Sequence, residues 1–214
     1  MRLDHVSYVA SHDQISDVVQ RIGSQIGTAF VDGGIHPRFG TRNFTAPLLN
    51  GQYIEVVCPL DHPATEQTPF GKAVTRKANE GGGWLTWVFS TEDLAQIEAE
   101  LGRKAVEGHR RRPDGAELSW EQIGIIEVLD EPELPFFIRW RDGNHPSKVG
   151  SPNVSISQIK FANHDPLDKT AFKPQILSAL EFANIQTMVE VDESDVSGIS
   201  EIEFINEKGR YLVN

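Results

Sequence analysis

Hydrophobic and polar positions along the chain fall into blocks that repeat. Residues 3–10, LDHVSYVA, alternate as a half-buried strand does. Ser11, His12 and Asp13 then offer helix-capping chemistry, and Ile15, Val18, Val19 and Ile22 recur at the spacing of one helix face. Gly23 and Gly27 mark the end of that helix. The same order returns at 84–90, where WLTWVFS reads as a strand and Ser90 or Thr91 caps a second helix. Its face carries Leu94, Ile97 and Leu101, each 79 residues after Ile15, Val18 and Ile22, and Gly102 follows.

A third block opens at 154–165 with VSISQIKFANHD, ending in His164-Asp165 as the first strand leads to His12-Asp13. The pattern then predicts a helix centred on 171–183 and strands at 187–191 and 199–205. The closing Gly209-Arg210-Tyr211-Leu212-Val213 repeats the shape of Gly51-Gln52-Tyr53-Ile54-Glu55, which follows the hairpin signal Asn50-Gly51. Each block reads strand, helix, three strands, over 1–60, 82–145 and 153–214. Segment 61–81 reads as a connector and 147–153 as a linker. The expected class is α+β.

Charge and cysteine content narrow the partners. A net charge of −11 repels nucleic acid and anionic membrane surfaces. Cys58 is the single cysteine, so no disulfide forms within the chain, which fits a reducing compartment. No signal-peptide pattern precedes residue 3 and no apolar run has the length of a membrane span, so the expected location is the cytoplasm. No Gly-rich phosphate loop, nucleophile elbow, CxxC or HExxH is present.

With its repeated βαβββ order, the chain resembles the glyoxalase-like branch of the vicinal oxygen chelate superfamily. The residues that carry the resemblance are LDHV at 3–6, HPRFGTRNF at 36–44, GQYIEVV at 51–57, PFFIRW at 135–140 and His145-Pro146. It covers 1–146 as a pair of modules; the third, 153–214, rests mainly on the internal repeat. It implies an open cup-shaped mixed sheet with helices outside and a small-molecule ligand within. It also implies that His5 and Glu55 stand where the family holds a divalent ion such as Zn, Mn or Fe.

Alternation along the strands places His5 and Ser7 in the cup with Val6 and Tyr8 behind, and Tyr53, Glu55 and Val57 on one face. His5 and Glu55 therefore converge, as metal ligands and catalytic groups or as a buried hydrogen-bonded pair. The offset of 79 sets Trp84 opposite His5 and Thr86 opposite Ser7; aligning Tyr53 with Phe136 sets Ile138 opposite Glu55. The second module thus carries apolar residues at both ligand positions. His36 and His145 are placed at the mouth of the cup, or in turns. Arg42 and Asn43 orient a ligand, or stitch strand to loop. Trp84 and Trp140 are placed on the walls, and HRRRPDG at 109–115 reads as a solvated hairpin tip.

Two functions follow. One is a lyase, isomerase or dioxygenase of glyoxalase-like type using His5, Glu55 and a divalent ion. The other is a metal-free protein that binds or sequesters a small molecule in the same cup. An unpaired third module exposes Ile202 and Phe204 and predicts a homodimer, with packing against the first two modules as the alternative.

Overall fold

The computed structural model describes residues 1–163 and 188–214. In its first half β1 (Arg2–Val9) leads to α1 (Ile15–Ile26), β2 (Val31–His36), β3 (Thr41–Pro47) and β4 (Tyr53–Pro59). Two helices follow, α2 (Pro63–Gln67) and α3 (Pro69–Asn79). The second half holds β5 (Gly83–Ser90), α4 (Ala95–Leu101), β6 (Val106–Arg111), β7 (Glu117–Ile123), α5 (Ile125–Asp130) and β8 (Phe136–Trp140). The element order of the first half returns there, with α5 inserted before the last strand.

The local chemistry explains these bounds. α1 buries Ile15, Ile22 and Ile26 and stops at Gly27, whose φ of 75° is left-handed and whose N–H reaches Gly23 O at 2.9 Å. Segment 61–81, expected to be a connector, instead forms α2 and α3. Each starts with proline in its first turn, and His62 and Thr68 accept the N–H groups of Ala64 and Gly71.

The eight strands curl into one sheet in the order β1-β4-β3-β2-β6-β7-β8-β5, with β1 parallel to β4 and antiparallel to β5. The expected cup is open; here the sheet closes on itself, through a single registered pair at the β2–β6 seam, Ile35 with Arg111.

A second sheet, ordered β10-β9-β11-β12, comprises β9 (Ser155–Asn163), β10 (Val189–Glu193), β11 (Gly198–Asn206) and β12 (Gly209–Val213). The expected strand end at His164-Asp165, the helix over 171–183 and the start of the strand at 187 lie outside the described residues. This sheet lies against the barrel. Trp84 packs on Phe204 and Trp87 on Phe161, with ring centroids 6.2 and 4.9 Å apart, and Trp84 Nε1 donates to Val213 O at 2.8 Å. Ile202 and Phe204 are buried there. The apolar face that predicts a homodimer is covered within the same chain. No helix among the described residues is long and apolar enough to cross a membrane.

Candidate functional site

The barrel encloses a cavity. His5, His36, Asn43, Tyr53, Glu55, Arg110 and Gln122 supply its polar wall, and Trp120, Trp140, Phe136, Ile138, Phe39 and Phe70 the rest. Its free volume is about 20 Å³, room for roughly one water molecule. Phe70 comes from α3, so segment 61–81 helps close the cavity.

Parallel pairing of β1 with β4 sets His5 opposite Tyr53 and Ser7 opposite Glu55. Glu55 is buried, and both of its oxygens are engaged. Ser7 Oγ donates to Oε2 at 2.7 Å and Asn43 Nδ2 donates to Oε1 at 2.6 Å. Burial alone raises the Glu55 pKa. Attraction to His5 and His36, with the two hydrogen bonds, outweighs it and holds the carboxyl below its ordinary value.

His5 stacks on Tyr53 with ring centroids 4.3 Å apart. Its Nδ1 lies 3.1 Å from Asp4 Oδ2, and its Nε2 lies 4.0 Å from Glu55 Oε2. Asp4 reaches its own neighbour because the β1–β5 register shifts between Leu3 and His5, a bulge that turns consecutive side chains toward one another. Asp4 is buried, which raises its pKa. Hydrogen bonds and attraction from His145 and His5 prevail and keep it ionised. An ionised carboxylate only accepts, so His5 carries a proton on Nδ1, and in the neutral ring the lone pair then sits on Nε2.

Three further groups converge on Asp4. Arg2 Nη2 lies 2.8 Å from Oδ1, His145 Nε2 3.0 Å from Oδ1, and Trp140 Nε1 donates to Oδ2 at 3.1 Å. Ser147 N–H donates to His145 Nδ1, so that ring gives its Nε2 proton to Asp4.

On the opposite wall, Arg110 Nη1 donates to Gly33 O at 2.6 Å and to Asn43 Oδ1. That contact fixes the amide of Asn43 with its nitrogen toward Glu55. His36 is paired with Thr41 Oγ1 at 2.9 Å; burial first and Arg110 second hold its pKa down to about 3. Burial, then the negative charge of Asp4 and Glu55, raises the Tyr53 phenol well above its ordinary value.

Six of the expected site residues meet at the cavity: His5, His36, Asn43, Tyr53, Glu55 and Trp140. Ser7 stands behind Glu55 as its donor. His145 lies behind Tyr53 and Trp140, on Asp4. Arg42 points outward to Asp32 and over the Phe44 ring, because alternation along β3 turns Asn43 inward and Arg42 away.

Trp84, expected on the cup wall, faces the second sheet. The β1–β5 register slips between Ser7 and Tyr8, so Leu85 is bulged and Trp84 pairs with Tyr8 on the outer face. Thr86 pairs with Ser7 and gives its hydroxyl to the carbonyls of Trp87 and Leu134, off the cavity. Val88 is the residue that stands to Phe136 as His5 stands to Tyr53. Arg110 and Trp120 were not expected at the site. β6 buries Gly108 and Arg110 between exposed neighbours, and a Cβ at Gly108 would overlap the Trp120 ring.

The sequence matches the model of the glyoxalase-like domain over residues 3–176. The chain belongs to the glyoxalase-like domain family. Among solved structures, this glyoxalase-like protein is similar to a hypothetical protein from Staphylococcus aureus, at TM-score 0.64 and 17% identity, covering 100% of this chain and 98% of that one. A methylmalonyl-CoA epimerase from Mycobacterium tuberculosis gives TM-score 0.43 at 16% identity over 64% of this chain and 87% of its own. A hypothetical protein from Bacillus halodurans gives 0.44 at 15% over 66% and 96%. The first of these likenesses concerns the fold alone. No curated protein matches the chain.

The family resemblance implies a divalent ion at His5 and Glu55, and the donor set here does not fit one. Both Glu55 oxygens already accept short hydrogen bonds. Val88 and Ile138 supply no donor from the second half. Among the described residues no three His, Cys, Asp or Glu side chains are grouped to hold a metal.

Proposed function

We propose that this glyoxalase-like protein moves a proton on a small molecule held in the barrel, as an isomerase or lyase, without a resident metal. The observation that carries the reading is the pairing of His5 Nε2 with Glu55 Oε2 at 4.0 Å, two acceptors facing one another in an enclosed site. A substrate C–H or O–H can approach His5 Nε2 from the cavity side, with the Glu55 carboxylate alongside. His5 is the base, because Asp4 holds its proton on Nδ1. The imidazolium formed by proton transfer lies between two carboxylates, Asp4 and Glu55, and is stabilised by both. Glu55 itself, kept below its ordinary pKa, is a poor base at neutral pH and serves as a fixed negative charge.

A second reading, a binding or sequestering protein, draws support from the small free volume and from the full hydrogen bonding of Glu55. Dihydroxyacetone in D2O separates the two. The enzyme reading expects wild-type protein to exchange the protons beside the carbonyl and His5→Gln to lose about 100-fold or more of that rate. Absence of exchange in wild type, with the compound bound, supports the binding reading instead.

A further inference from the structure

Arg110 is only 2% exposed, yet no carboxylate lies within ion-pair distance of it among the described residues. Other arginines on this half of the barrel have one. Arg103 meets Glu127, Arg139 and Arg141 meet Glu121, and Arg112 meets Asp114. A buried cation without a counter-ion is costly, so it persists where something else uses it. Arg110 employs one nitrogen, Nη1, on Gly33 O and Asn43 Oδ1. Nη2 and Nε make no hydrogen bond among the described residues, and Arg110 is one of the residues that line the cavity. The backbone is shaped for this placement: a Cβ at Gly33 would overlap both Arg110 Nη1 and Asn43 Oδ1.

We infer that the barrel site takes a small carboxylate, of the 2-oxo acid class, with its carboxylate on the free Nη2–Nε edge of Arg110. The inference rests on the reading of the site given above and adds the substrate class to it. The planar fork of guanidinium matches a carboxylate with two parallel hydrogen bonds. The carbonyl and its neighbouring C–H then extend toward His5 and Glu55 across the cavity. A molecule of this size exceeds the present free volume of about 20 Å³, so the wall must part. The β2–β6 seam, joined by the single pair of Ile35 with Arg111, adjoins Arg110.

The test uses the four tryptophan indoles as reporters, because Trp120 and Trp140 line the cavity while Trp84 and Trp87 face the second sheet. Pyruvate and its neutral analogue pyruvamide are titrated into the full chain and followed by 1H–15N spectra. The expected result is that pyruvate moves the Trp120 and Trp140 indole signals, leaves Trp84 and Trp87 in place, and binds about 10-fold or more tightly than pyruvamide. Arg110→Lys, which keeps the charge and loses the fork, is expected to weaken pyruvate about 10-fold. If that variant fails to fold, the pyruvate–pyruvamide comparison on wild type decides. Equal binding of the two compounds at Trp120 and Trp140 overturns the role of Arg110 and leaves the site reading standing. Movement of neither signal by either compound overturns the 2-oxo acid class, and dihydroxyacetone exchange then judges the site reading separately.

Discussion

Asn43 donates its amide to Glu55 Oε1 at 2.6 Å while its carbonyl receives Arg110 Nη1, so one neutral side chain joins the two buried charges of the cavity. Asn43→Leu keeps the volume and removes both contacts. It leaves a guanidinium N–H and a carboxylate oxygen unpaired in the interior. The expected loss is about 3 kcal/mol of unfolding free energy, read from urea melts. An unchanged midpoint would show that the relay contributes no stability.

Stability should fall with acid earlier than carboxylates alone would make it. His36 has a folded pKa of about 3 against an ordinary value of 6.5. The unfolded chain therefore binds the extra proton between those values, and folding favours the neutral ring. The contribution is fully present above pH 6.5 and is lost progressively down to about pH 3, at about 1.4 kcal/mol per pH unit. Asp4 and Glu55, with folded values depressed, add to the loss below their unfolded values of 3.8 and 4.5. His36→Gln should flatten the slope between pH 6.5 and 4.5 in urea melts run across that range. A slope identical to wild type would contradict the burial argument.

Asp4→Asn should reverse the His5 tautomer. An amide can donate to His5 Nδ1, which moves the ring proton to Nε2 and removes the lone pair from the cavity. Long-range 1H–15N spectra should show the Nδ1–H form in wild type and the Nε2–H form in the variant. Proton-exchange activity should fall about 100-fold or more with it. Retention of the Nδ1–H form in the variant would remove Asp4 from its positioning role.

Trp84→Phe should lower stability by about 1 kcal/mol through loss of the bond to Val213 O, and leave the site untouched. Thermal melts and the Trp120 and Trp140 indole signals together check this. Altered ligand response at those two indoles would place Trp84 back on the cavity.

Much of the site was legible because period-2 alternation is robust within a regular strand. Alternation groups His5 with Ser7 and Tyr53 with Glu55, the family resemblance implies which face is inward, and parallel pairing of β1 with β4 brings them together. Trp84 was misplaced because one bulged residue, Leu85, reverses every side chain on one side of it, and a bulge leaves no mark in hydrophobic spacing. Beyond the slip, no single offset relates the halves. The strand registers pair Val88 with His5, 83 positions apart, whereas the helix faces matched at 79. Arg110 was hidden in a run of three arginines that reads as a solvated tip. The available signal was Gly108, two positions earlier, where alternation puts both residues inward and glycine makes room for Trp120. The helix α3 was missed because few residues of 61–81 are apolar. Its Thr68-Pro69 start was the cue.

The measurement that bears most directly on the account is α-proton exchange of dihydroxyacetone and pyruvate in D2O by protein stripped with a chelator, then resupplied in turn with Zn, Mn and Fe(II). Metal content is followed by elemental analysis. The account predicts that exchange in the stripped protein equals that of the untreated protein and that added metal leaves the rate unchanged. Exchange that vanishes on stripping and returns with one of these ions would contradict it, and would restore His5 and Glu55 as metal ligands.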